Sequence, residues 1–266
     1  MKKYWSLFRI RMVNTLQYRS VAFGMILTRF CWGMMEILAF FALYRTGNHS
    51  FSMTFAQTVS YYWMAEAFYV MFQVNYGDNE IQAAIRDGTI AYEMVRPLSL
   101  YGNWYSQVLA NRVAPTMLSC MPVLIFAILM PSPFRISFPG FAQVGLFALS
   151  LVLGLGVVAA LAILMHISLF YTTSPRGIKI MVTAVTTFFS GGLIPLTIFP
   201  PVFRQIAERL PFAACQSTPL LLFSGTLQGA AAAEAIGLQV FWLIAIIGLG
   251  VLWMKNTLKR VVVLGG

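Results

Sequence analysis

FAQVGLFALSLVLGLGVVAALAILMHISLFY, residues 141–171, decides the fold class. The run holds no Asp, Glu, Lys or Arg. A bilayer core is about 30 Å thick, and a helix crosses it with about 20 apolar residues. The run therefore reads as a membrane-spanning helix, long enough to tilt or to project beyond the bilayer. Working outward, comparable apolar stretches fall at 21–44, 55–75, 105–130, from 178 onward, and 234–254. The expectation is an all-α integral membrane protein with six transmembrane helices, forming one transmembrane domain over 1–266.

Composition agrees. Of 266 residues, 59% are hydrophobic and 10% charged, against about 25% charged in a soluble domain. So few charges cannot clothe a water-facing surface, and six crossings leave no room for a folded extramembrane domain of about 100 residues. The formal charge of +10 would point to nucleic acid in a soluble protein. Here it is the ordinary enrichment of cytoplasmic loops in Lys and Arg, and no nucleic-acid partner is expected. Cys31, Cys120 and Cys215 lie far apart in apolar runs without CxxC spacing and read as small packing residues.

The segments between spans carry the polar residues. Residues 1–20 hold Lys2, Lys3, Arg9, Arg11 and Arg19 with no acid, while Trp5, Phe8, Met12 and Leu16 share a helical face. That pattern reads as an interfacial helix lying in the headgroup layer against membrane lipid. It is not a cleavable signal, since no compact apolar core follows the charges. Residues 76–103 form the one extended polar segment. Within it Ile81, Ala84 and Ile85 make a small apolar face beside Gln82, Arg86 and Asp87. Gly88 suits a helix stop, and Arg96-Pro97 turns the chain back toward the membrane. Such a short amphipathic helix suits docking onto a soluble partner. Farther on, Ser174 and Pro175 read as a helix start. Gly191, Gly192 and Pro195 should break the fifth span, and Pro200 interrupts the chain again. Residues 202–210 read as a short amphipathic helix stopped by Pro211.

Basic residues set the orientation. With the N-terminus inside, the cytoplasmic pieces hold twelve Lys and Arg and the outer pieces four, which places both termini in the cytoplasm.

There is no GxxxxGK[ST] phosphate loop, no HExxH and no GxSxG, so neither nucleotide hydrolysis nor these catalytic motifs belong to this chain. His49 and His166 have no metal-ligand partner at helical spacing, and His166 reads as a packed residue. Three ionisable residues fall inside spans: Arg29, Glu36 and Glu66. Such residues face protein or a water-filled cavity. Arg29 lies about 12 Å above the inner end of its span and Glu66 about 14 Å above the inner end of the next. Matched depths on antiparallel neighbours predict a contact between them. Glu36 has no obvious partner. Two readings stand: a substrate pathway or subunit contact, and a structural pair with a near-interface carboxylate.

Two groups of short motifs then resemble a known family. They are Ile85-Arg86-Asp87-Gly88-Thr89-Ile90 followed by Val95-Arg96-Pro97-Leu98, and Ser190-Gly191-Gly192-Leu193-Ile194-Pro195-Leu196 followed by Phe199-Pro200 and Leu210-Pro211-Phe212. In this order and topology the chain resembles ABC-2-type permeases, the membrane subunits of ATP-binding-cassette exporters, over nearly its whole length. It looks closest to a poorly characterised subgroup. The resemblance implies a place in the cell membrane of a prokaryote. It implies a cytoplasmic coupling helix within 76–103, carried by Ile81, Ala84, Ile85, Arg86, Asp87, Gly88, Arg96 and Pro97, that seats on a separate cytosolic ATPase. Residues 191–227 would form a re-entrant outer hairpin before the last span. ATP and magnesium would bind the partner ATPase, leaving no cofactor on this chain. Six spans make half a pathway, so a second permease, identical or homologous, completes it. The competing readings are a transporter or channel working without an ATPase, and a membrane-embedded enzyme. The first would need pore-lining polar residues beyond Arg29, Glu36 and Glu66; the second would need histidines beside the acids of 76–103.

Overall fold

A computed structural model describes residues 9, 19–46, 51–94, 99–172 and 175–259. Among the described residues the chain is helix and turn, with no strand. In chain order the helices are α1 (Arg19–Arg45), α2 (Phe55–Ala67), α3 (Tyr69–Phe72), α4 (Asn79–Arg86), α5 (Ile90–Met94), α6 (Leu100–Leu129), α7 (Phe141–Ser168), α8 (Pro175–Phe189), α9 (Pro201–Arg209), α10 (Pro211–Cys215), α11 (Ser217–Phe223) and α12 (Gly229–Leu258). Single 3-10 turns cover Leu169–Tyr171 and Leu196–Ile198. The expected interfacial helix at 1–20 lies outside the described residues, apart from residue 9 and the start of α1. So do the turn at 47–50, Arg96, Pro97 and Ser174.

Among the described residues four helices are long and apolar enough to cross a membrane: Gly24–Arg45 within α1, Leu100–Leu129, Phe141–Tyr171 and Gly229–Leu258. The other two expected spans are interrupted. α2 ends at Phe68, which leaves helical geometry at φ −107° and ψ 15°, and the chain resumes as α3. α8 has 15 residues and reaches about 22 Å, short of a bilayer core.

The helix starts follow from their caps. Thr54 Oγ1 accepts from the Gln57 amide at 3.3 Å, and Gln57 Oε1 accepts from the Thr54 amide at 2.8 Å, a reciprocal box that fixes the start of α2. Ser99 Oγ accepts from the Gly102 amide at 3.2 Å and starts α6. Two cores form around two central helices. α2 buries Tyr61, Tyr62 and Trp63 against Ile37 of α1 and Val123 and Ala127 of α6. α7 buries Val157, Val158 and Ile163 against Trp104 and Val108 of α6 and Ile246 of α12.

Small residues on α7 set the spacing. A Cβ on Gly154 would stand 2.9 Å from the carbonyl oxygens of Ala214 and Cys215, so α10 packs on α7 at backbone contact. Gln239 of α12 completes the junction, donating to the Ala214 carbonyl at 2.8 Å while its Oε1 accepts from Ser150 Oγ at 2.8 Å. α1 and α12, by contrast, leave large apolar side chains uncovered, among them Leu27, Trp32 and Met35 on α1 and Phe241, Ile244 and Leu252 on α12.

Candidate functional site

The polar segment after α3 is anchored by a buried ionic cluster. Residues 73–78 turn out of α3, and Asp78 lands between α6 and α7 with its side chain fully buried. Arg112 of α6, also fully buried, donates from Nη2 to Asp78 Oδ2 at 3.0 Å and from Nη1 to Oδ1 at 3.3 Å. The same guanidinium donates to the carbonyls of Gln73 at 2.9 Å and Val74 at 2.6 Å, and the Asn111 amide donates to Asp78 Oδ1 at 3.0 Å. His166 of α7 brings Nε2 to 3.4 Å from Asp78 Oδ2, packed edge-on against Trp104. A buried charge persists when it is paired and its remaining hydrogen-bonding positions are filled. This one is, by groups from the turn itself and from two long helices. Burial works to raise the Asp78 carboxyl. The charge of Arg112 and the imidazole of His166 beside it outweigh burial and hold it below the usual carboxylate range.

α4 stands on this anchor, and one expectation needs correction. Ile81 is 1% exposed and belongs to the core around α7. Ala84 and Ile85 are half-buried, with Ile85 packed on the same core. Ile81 is therefore covered within the chain and is not the surface offered to a partner, while Ala84 and Ile85 stay partly open. The reason is the anchor itself, which draws the start of α4 down against α6 and α7. α4 exposes Asn79 and Glu80 at its start and Arg86 at its end. Arg86, Asp87, Gly88 and Thr89 are exposed, Arg86 Nε pairs with Asp87 Oδ1 at 2.8 Å, and Gly88 turns at φ +72°, a region open to glycine. Beside this corner a groove of 330 Å³ runs between Ile85 and Arg86 on one side and Leu169 and Pro175 on the other.

The intramembrane charges fall where their depths place them. Arg29 Nη1 lies 3.3 Å from Glu66 Oε2, and the guanidinium stacks 3.4 Å above the Tyr69 ring. Gly33 permits this approach: a Cβ there would meet Glu66 Cγ at 3.3 Å. Glu36, about two turns along α1 from Arg29, is half-buried and has no ion-pair partner among the described residues.

The helix break is also present. α8 ends at Phe189, Gly191 turns at φ +79°, and Pro195 and Pro200 flank the 3-10 turn before α9. Two tyrosines of α2 hold the break: Tyr61 Oη donates to the Gly191 carbonyl at 2.9 Å and Tyr62 Oη to that of Leu193 at 3.4 Å. Gly192 is packed by Gln216, whose Oε1 would stand 3.0 Å from a Cβ.

Asp78, Arg112 and His166 as one cluster escaped the sequence reading. The available signal was depth: Arg112 lies near the start of its span, His166 near the end of the next, and Asp78 just past the second span. Among the described residues no group of three His, Cys, Asp or Glu is placed to hold a metal.

The family described as ABC-2 family transporter protein matches residues 30–264. No curated protein matches the chain.

Proposed function

This chain belongs to the ABC-2 transporter family, and from that premise we propose that it is the permease half of an ATP-driven exporter. It lies in the cell membrane with both termini cytoplasmic, pairs with a second permease, identical or homologous, and couples to a separate ATPase. The family match supports membrane transport rather than catalysis by this chain.

The observation that carries the coupling role is the exposed Arg86–Thr89 corner mounted on the buried Asp78–Arg112–His166 cluster. A partner pushing on that corner meets no soft loop. The force passes through α4 to a paired charge seated between α6 and α7, the helices that build the core around α7. Residues 76–103 thus act as the coupling segment, with contact made by Arg86, Asp87 and Gly88 and by the adjoining groove.

The six-span topology counts α2 with α3 as the second crossing and α8 as the fifth. α8 stops short, and residues 191–227 return toward the last span as the outer re-entrant region. Irregular backbone at membrane depth is tolerated where protein covers it, and Tyr61, Tyr62 and Gln216 do so here. The Arg29–Glu66 pair with unpartnered Glu36 marks the side of α1 that faces the pathway shared with the second permease, because a carboxylate facing lipid alone is costly.

The test reverses the corner's charges. Arg86→Glu with Asp87→Arg leaves every buried contact in place, so the variant should insert and purify like wild type yet lose the ATPase on co-purification. Undiminished recovery of the ATPase would remove the corner from the coupling role.

A further inference from the structure

A cleft of 920 Å³ opens between α9, α11 and α12, away from the coupling corner. Its walls carry charge of both signs. On α9, Arg204 and Glu208 neutralise each other at 2.7 Å. That leaves Arg209 on α9 and Glu234 on α12, both exposed and, among the described residues, without ion-pair partners. The indole of Trp242 donates to the Arg209 carbonyl at 3.0 Å and ties the end of α9 to α12. Ser217 and Thr218 line the floor, and Leu238 and Phe241 of α12 continue the wall as an apolar surface.

The position matters as much as the lining. α12 has 30 residues, about 45 Å of helix against a hydrocarbon core of about 30 Å. Its opening turns, including Glu234, therefore lie at headgroup level, while Phe241 reaches acyl-chain level. α9 lines the same cleft through Arg204 and Arg209, with Val202 and Ile206 exposed on the same helix.

The geometry points to a binding site for a zwitterionic amphiphile, with its phosphate or carboxylate on Arg209, its ammonium on Glu234, and its tail along Leu238 and Phe241. The two arginines and two glutamates in the lining decide between ligand classes. A simple anion would meet Glu234, and a simple cation would meet Arg209. A ligand bearing both charges satisfies each wall, and its tail follows the apolar surface into the membrane. The site rests on the placement of α12 in the bilayer and not on the ATPase, so the two proposals fail separately.

The purified chain in detergent is titrated with phosphatidylethanolamine and with phosphatidylglycerol, and binding is read by native mass spectrometry. Wild type should favour phosphatidylethanolamine by about fivefold, the ratio that one partly exposed charge pair of roughly 1 kcal/mol supports. Glu234→Gln should bring the ratio to about one by removing the ammonium's partner, and Arg209→Gln should weaken both lipids. Both side chains are exposed, so the variants keep the wild-type elution profile on size exclusion. Phosphoethanolamine, which has the same charges and no tail, should not compete at equal concentration. A wild-type ratio near one, a ratio unmoved by Glu234→Gln, or equal competition by phosphoethanolamine would each overturn the site as a place for a zwitterionic amphiphile.

Discussion

Replacing Arg112 by Met removes the guanidinium from the buried cluster while keeping much of its aliphatic bulk. Asp78 would then remain fully buried without its guanidinium partner, with His166 and Asn111 left beside it, and the carbonyls of Gln73 and Val74 would lose their donor. Breaking a buried pair by removing one partner costs about 3–5 kcal/mol, because the remaining charge is left uncompensated. At about 2–4 °C per kcal/mol, thermal unfolding in detergent should fall by roughly 6–20 °C. Removing both charges, with Asp78→Leu and Arg112→Met together, should cost less than the sum of the single changes, giving a coupling energy above about 1 kcal/mol. The pH dependence follows from the sign of the shift. The native Asp78 carboxyl lies below its ordinary value of 3.8. Its contribution is therefore complete above about pH 5 and is lost as pH falls through the lower native value. The stability gap between wild type and Asp78→Asn should accordingly narrow as pH falls below about 5. A drop of less than about 2 °C for Arg112→Met, or strictly additive single effects, would refute the cluster as a buried ionic anchor.

Ile81→Asp should damage folding rather than docking, since Ile81 is 1% exposed and a buried unpaired charge is costly; a stable, normally purified variant would show that α4 does not pack as described. Gly191→Ala meets both a positive φ and the Tyr61 hydroxyl at 2.8 Å, so unfolding should shift by about 1–3 kcal/mol. An unshifted midpoint would mean the turn after α8 relaxes without cost.

The four long helices were readable because uninterrupted apolar length is a property of the sequence itself. The break at Gly191 and Pro195 was readable for the same reason, since glycine and proline act on their own backbone. The interruption at Phe68 was not, because no glycine or proline marks it and the bend comes from packing. The Arg29–Glu66 contact followed from matched depth on adjacent helices. Asp78, Arg112 and His166 share a depth too, but they lie in three separate segments, and only the fold shows that these meet. Ile81 was read correctly as apolar, but it is covered within the chain rather than offered to a partner. Periodicity shows that a helix face must be covered; it does not show that α6 and α7 already cover it.

The coupling role is tested most directly by a photo-crosslinking residue placed at Thr89, which is exposed beside Gly88. The chain is expressed in its native membrane, irradiated, and the crosslinked product identified. The account predicts a single adduct with a subunit carrying a nucleotide-binding phosphate loop, and loss of that adduct when Arg86→Glu and Asp87→Arg are added. An ATPase that co-purifies with the chain but never crosslinks from Thr89 would contradict coupling at this corner, and membranes yielding no such ATPase at all would contradict the ATP-driven permease itself.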